Sequence, residues 1–170
     1  QYGDAEAIAD LICAQPQVRP IALGARDSLR LEAGLPLYGH DMTADTDPVS
    51  ADLLFGINKR RRSEGGFPGA AHILPLVSAG TATRRVGLLI EGRMAAREGA
   101  AVLHGETAVG TVTSGGFSPS LERPIAMAFV SSDLAVPGTS LAIDVRGRKL
   151  AATVAPLPFV PHRYHRKGAA

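Results

Sequence analysis

The spacing of apolar residues changes partway along this chain. Over residues 3–14, Ala5, Ile8, Leu11 and Ile12 recur at helical intervals, and Pro16 and Pro20 end the pattern. Residues 21–33 repeat it: Ala22, Ala25, Leu29 and Ala33 return every three or four positions, and Gly34 supplies a C-terminal stop. Arg26 and Arg30, four apart, share one face of that second helix. Residues 34–39 read as a turn. Asp47 followed by Pro48 predicts an N-cap and first residue for a short helix running through Phe55. A fourth helical run is predicted at 70–77, after Phe67-Pro68-Gly69, with Pro75 arguing against it.

After Gly80 the pattern is one of short apolar or alternating runs, at 83–91, 99–104, 107–113, 124–130, 139–146 and 149–155. Turn residues separate them: Gly92, Gly105-Glu106, Ser114-Gly115-Gly116, Val136-Pro137-Gly138 and Gly147. Evenly spaced strands with such punctuation predict a small antiparallel barrel or sandwich. The chain is therefore α+β, with an α-rich segment, a boundary near residue 80, and an all-β domain. Four short helices give the first segment a thin core of its own. Its first helix begins almost at Gln1, so the chain reads as a fragment.

Composition changes this picture little. A 170-residue chain with 45% hydrophobic and 20% charged residues suits a globular protein, not a disordered one. It shows no signal-peptide pattern, and no apolar run has the length of a membrane span. Cys13 is alone, so no internal disulfide can form. The formal charge is +2, yet Lys59-Arg60-Arg61-Arg62 form one basic block and His162, Arg163, His165, Arg166 and Lys167 another. Such blocks suit small anionic ligands or an acidic partner, or are simply a solvated helix end and a tail. Duplex nucleic acid fits poorly, because aromatic content is 5% and the basic residues form no continuous stripe.

Generic catalytic patterns are missing: no phosphate-binding glycine loop, no Gly-x-Ser-x-Gly and no Cys-x-x-Cys. Apart from the tail pair His162 and His165, the histidines lack metal-ligand spacing, so no metal site is expected. By themselves the residues describe an anion-binding α+β chain.

A resemblance goes further. Leu23-Gly-Ala-Arg-Asp-Ser-Leu-Arg-Leu-Glu-Ala-Gly34 with Leu35-Pro-Leu-Tyr-Gly39 closely resembles a signature of glycine-cleavage T-proteins. Further blocks follow in order: Pro48-Val49, Gly56-Ile-Asn-Lys-Arg-Arg-Arg62, Phe67-Pro-Gly69, Arg84-Arg-Val-Gly-Leu88, Gly110-Thr-Val-Thr-Ser-Gly115, Ser118-Pro-Ser-Leu121, Val136-Pro-Gly138, Pro158-Phe-Val-Pro161 and Tyr164. They cover nearly the whole chain, and the ordered set is far more specific than any one block.

The resemblance implies a three-domain, cloverleaf-like enzyme around a tetrahydrofolate channel. Such an enzyme takes an aminomethyl group from the lipoyl arm of a carrier protein, releases ammonia and forms 5,10-methylenetetrahydrofolate. Residues 1–79 would be the end of an α/β folate-binding domain, 80–157 a small antiparallel, jelly-roll-like β-barrel, and 158–170 a C-terminal tail. The family's catalytic aspartate and its pterin-binding glutamate have no counterpart in these residues, so this stretch alone is expected to be inactive. Carried over position by position, the resemblance implies folate contacts at Arg26, Tyr164, Phe55 and Arg85. A guanidinium suits folate's pterin edge and carboxylates. The bland alternatives are a buried carboxylate partner for Arg26, core packing for Phe55 and tail packing for Tyr164. Arg30 is expected to be structural, paired with Glu32, Glu6 or an acidic residue elsewhere. Arg84 is expected to be exposed beside Arg85. Two rival readings stay open: the folate-binding tail of a sarcosine or dimethylglycine dehydrogenase, and a non-catalytic interaction module. The related folate-binding iron–sulfur assembly factor is disfavoured, because Lys59-Arg-Arg-Arg62 stands where that protein carries a Lys-Gly-Cys-Tyr-type motif. The expected setting is a bacterial cytosol or, in a eukaryote, the mitochondrial matrix, with no membrane and no nucleic acid.

Overall fold

A computed structural model describes residues 2–164. The residues after Gly80 form six antiparallel strands: β1 (Thr83–Ile90), β2 (Ala101–His104), β3 (Thr107–Ser118), β4 (Arg123–Ser131), β5 (Ser140–Val145) and β6 (Arg148–Ala155). They close into a barrel in the order β1-β4-β3-β2-β5-β6, so every strand has two neighbours and no edge is left open. Period-two alternation sends Val86, Leu88, Ile90, Val102, Val112, Ala128, Val130, Ile143 and Val154 to the interior. Strand β4 is apolar on both faces. Its Ala126, Ala128 and Val130 face the barrel interior, while Ile125 and Met127 pack outward against Leu31.

One predicted turn is in fact strand. Ser114, Gly115 and Gly116 lie inside β3, which continues to Ser118 past an irregularity between Val112 and Ser114 where it pairs with β4. Gly115 is there for close approach. A Cβ on Gly115 would sit 2.5 Å from the Ala96 carbonyl oxygen, so the loop before β2 lies against this stretch of strand.

The helical segment consists of α1 (Ala5–Cys13), α2 (Leu23–Glu32), α3 (Lys59–Glu64) and α4 (Ala70–Ala79). Its contribution to the core is thin, as the pattern predicted. Leu31 of α2, buried against Ile125 and Met127, anchors it to the outside of the barrel, whereas α1 buries nothing. Helix α4 runs through Pro75 without a break. Helix α3 lies outside the four predicted helical runs, and its start is capped by the Asn58 side chain, which accepts from the Arg60 amide.

The helix predicted from Pro48 through Phe55 does not form. Asp47 does cap, accepting from the Val49 and Ser50 amides at 2.8 Å, but only a turn follows. Asp52 adopts φ 57°, which stops the turn, and a 3-10 turn then spans Leu54–Gly56. The carbonyls a helix would use are taken by β1: Ser50 O accepts from the Arg85 amide and Ala51 O from Arg85 Nε, both at 2.7 Å.

Candidate functional site

Helix α2 packs along β3, and an open cleft of about 470 Å3 lies between them. Its walls come from α2 (Leu23, Gly24, Arg26, Asp27, Arg30), the following turn (Leu37, His40), the loop before β2 (Arg97, Glu98) and β3 (Thr113, Ser114, Gly115). The helical signature and the Gly110–Gly115 block, 84 residues apart at Arg30 and Ser114, thus form opposite walls of one cavity.

Beneath it lies a buried polar network centred on Asp41. Arg30 donates to Asp27 at 2.7 Å through Nε, to Asp41 at 2.5 Å through Nη1, and to the Ser114 hydroxyl at 2.9 Å through Nη2. Asp41 also accepts from the Leu37 amide and from the Thr113 and Ser114 hydroxyls. Arg30 is therefore structural, but neither Glu32 nor Glu6 is its partner. Glu32, two positions along a helix of 100° per residue, points to another side. It is buried and accepts from the Ser118 hydroxyl at 2.5 Å, and from the Ser120 amide and hydroxyl at 2.9 and 2.7 Å. Burial by itself would raise the Glu32 pKa; these bonds outweigh it and hold the carboxyl below its usual value.

The four candidate ligand residues stand in different places. Arg26 is exposed on the cleft rim, and no ion pair engages it among the described residues. Tyr164 lies on the other side of α2, in a second cleft of about 390 Å3 lined by Leu29, Glu32 and Ser120. There it stacks on His162, with ring centroids 4.6 Å apart, and His162 Nε2 donates to the Ala33 carbonyl at 3.0 Å. Phe55 is 77% exposed. Arg85 is buried on the barrel's outer face, donating to the carbonyls of Ala51 and Gly34 at 2.7 and 3.0 Å. Burial pushes its guanidinium pKa down, and the charges of Asp41 and Asp52 pull it back. Arg84 is exposed, as strand alternation predicted, and meets Asp52 at 2.9 Å.

The basic block is largely spent within the chain. Arg60 pairs with Glu64, Arg61 donates to the Gly65 and Gly66 carbonyls, and Arg62 donates to the Ile57 carbonyl. Of the terminal cluster, His165, Arg166 and Lys167 lie outside the described residues. Sequence reasoning missed Asp41, His40 and Arg97 as cleft residues. Thr113 and Ser114 were visible only as letters within the Gly110–Gly115 block.

Comparisons with known proteins agree with this architecture. The model of the GCVT N-terminal domain matches residues 1–61, and that of the glycine cleavage T-protein C-terminal barrel domain matches residues 83–161. The mitochondrial aminomethyltransferase of Flaveria trinervia is 49% identical over 88% of this chain and 37% of its own length. That of Gallus gallus is 48% identical over 96% of this chain and 42% of its own, and the human one 45% over 93% and 39%. The crystal structure of glycine cleavage system aminomethyltransferase T from Bartonella henselae superposes with a TM-score of 0.91 at 42% identity, covering 96% of this chain and 46% of that one. The chain thus spans less than half the length of these relatives. With two domains of one family matched in order across most of its residues, and with a close structural match, this chain belongs to the glycine cleavage T-protein family.

Proposed function

We propose that this chain forms the tetrahydrofolate-facing part of an aminomethyltransferase. The complete enzyme would pass the methylene of a lipoyl-bound aminomethyl group to tetrahydrofolate, releasing ammonia and giving 5,10-methylenetetrahydrofolate. Its partner would be the lipoyl-bearing carrier protein of the glycine cleavage system. The observation that carries this reading is the cleft itself, whose two walls are the two most distinctive blocks of the resemblance. The cleft fits a folate in chemistry: Leu23 and Leu37 offer apolar contact, while Arg26 offers a guanidinium with no ion-pair partner among the described residues.

In this proposal Arg26 grips a polar edge or carboxylate of the ligand, and Tyr164 and exposed Phe55 offer aromatic faces. Arg85, already committed to two carbonyls, contributes by holding the helical segment against the barrel. The domain division follows the same reading, with 1–79 as folate-binding core, 80–157 as barrel and 158–170 as tail. The relatives named above from Flaveria, chicken and human are mitochondrial. We therefore place a eukaryotic parent in the matrix and a bacterial one in the cytosol. No helix among the described residues is long and apolar enough to cross a membrane.

Calorimetric titration of the complete enzyme with tetrahydrofolate, paired with thermal melting, tests this. A hydrogen bond to a charged group contributes about 1.5–3 kcal/mol, so Arg26→Ala is expected to raise Kd roughly tenfold to hundredfold. Arg26→Lys should recover part of that loss, because an ammonium keeps the charge without the planar fork. Unchanged affinity in a folded Arg26→Ala variant would remove Arg26 from the site. Turnover is a separate readout: the 170-residue chain is expected to release no ammonia above an enzyme-free control, since the resemblance supplies neither the family's aspartate nor its pterin glutamate within it.

A further inference from the structure

The cleft's charged groups are unequally committed. Arg30 is committed to Asp27, Asp41 and Ser114, and Glu98 is paired with His40 Nδ1 at 2.5 Å. Two guanidiniums remain. Arg26 has no ion pair, and Arg97 has none either, its one recorded bond being a long 3.4 Å contact from Nη1 to the Gly115 carbonyl. These statements hold among the described residues. An arginine carries five donors, so most of those on Arg97 are uncommitted.

Arg97 is also held on a firm backbone. Its neighbour Ala96 is fully buried, with a carbonyl packed so closely on Gly115 that no side chain fits between. On the other side the Gly99 amide donates to Val112 O, and the Val112 amide donates to Ala100 O, both at 2.9 Å. The loop that carries Arg97 is therefore pinned to β3 at both ends, and its direction relative to α2 is fixed by the barrel.

We propose that Arg97 is a second anion-binding residue of this cleft, acting with Arg26 from a separate element of the lining to hold a carboxylate group of the bound ligand. A pair of arginines on separate rigid elements restricts a carboxylate's position better than either alone, and leaves both charges solvated when the site is empty. The choice of a folate as the carboxylate's source rests on the function proposed above; the anion site itself does not.

The test uses the complete enzyme of which this chain forms part, and three probes: 5-formyltetrahydrofolate, its glutamyl diamide, and glutarate. Arg97→Gln, chosen because the residue is exposed and the change is mild, is expected to raise Kd for the folate about tenfold, a loss that shrinks with added salt. The same change should leave the diamide's Kd within about twofold, because no carboxylate remains to lose, and Arg97→Lys should fall between. Equal folate affinity in wild type and Arg97→Gln, or an equal loss for the diamide, overturns the proposal while leaving the folate reading in place. Glutarate binding that needs Arg97, without folate binding, keeps the anion site and overturns the folate reading. A complete wild-type enzyme that binds none of the probes overturns both. Melting curves of each variant exclude misfolding as the source of a loss.

Discussion

Two buried carboxylates, Asp41 and Glu32, tie helix α2 to strand β3 from opposite sides. Asp41 is matched by a guanidinium, Glu32 by hydroxyl and amide donors alone. The donors around Glu32 hold its carboxyl below the usual value, which makes it a reporter of acid sensitivity. A carboxyl whose folded pKa is depressed contributes its stabilisation above the unfolded value, about 4.3 for glutamate, and loses it as pH falls through the folded value. As pH falls below about 4.3, the wild-type chain is thus expected to lose melting temperature more steeply than Glu32→Gln, whose amide does not titrate. At pH 7 the variant should be less stable by about 1–3 kcal/mol, as one partner of a buried set is weakened. Parallel melting curves for the two proteins across that pH range would show that Glu32 carries no such linkage.

At the scale of elements, strand β3 is decided by what its glycines allow. A Cβ on Gly110 would lie 2.1 Å from the Phe129 carbonyl oxygen, a backbone atom of the paired strand. A Cβ on Gly87 of β1 would meet Leu157 and Phe159 at 2.8 Å, but those are side chains that can move. Gly110→Ala is therefore expected to cost at least about 3 kcal/mol, and Gly87→Ala about 1–3 kcal/mol. Urea unfolding of both variants checks the order, and a Gly110→Ala chain as stable as wild type would mean that β3 and β4 separate easily. The same geometry explains why the predicted turn at Ser114–Gly116 is strand. Glycines mark turns and close approaches alike, and only the position of Ala96 distinguishes the two here.

For the whole molecule, stability is expected to be graded. The barrel is closed and holds the main apolar cluster, whereas Ile8, Leu11 and Ile12 of α1 are 54%, 67% and 51% exposed. An isolated nine-residue helix is marginal in water without packing. Amide hydrogens of α1 in this chain should exchange orders of magnitude faster than those of β1 and β4, which share a ladder in the closed barrel. Equal protection in exchange mass spectrometry would show that α1 is packed in solution.

Local pattern by itself determined the order and type of most elements. Short apolar or alternating runs in 83–155 predicted strands, and Ala5–Ile12 and Ala22–Ala33 predicted helices, because side-chain period follows directly from backbone geometry. The ordered blocks likewise determined the family, since they are a property of the letters. Tertiary structure decided the rest. Asp52 turned a capped helix start into a single turn, because β1 claimed its carbonyls through Arg85. The partner of Arg30 is Asp41, eleven residues on and outside any helical spacing, and the cleft that Arg26 lines is also lined by Arg97, on a loop 71 residues away. Such pairings depend on how the barrel closes, and long-range closure leaves no trace in the local order of residues.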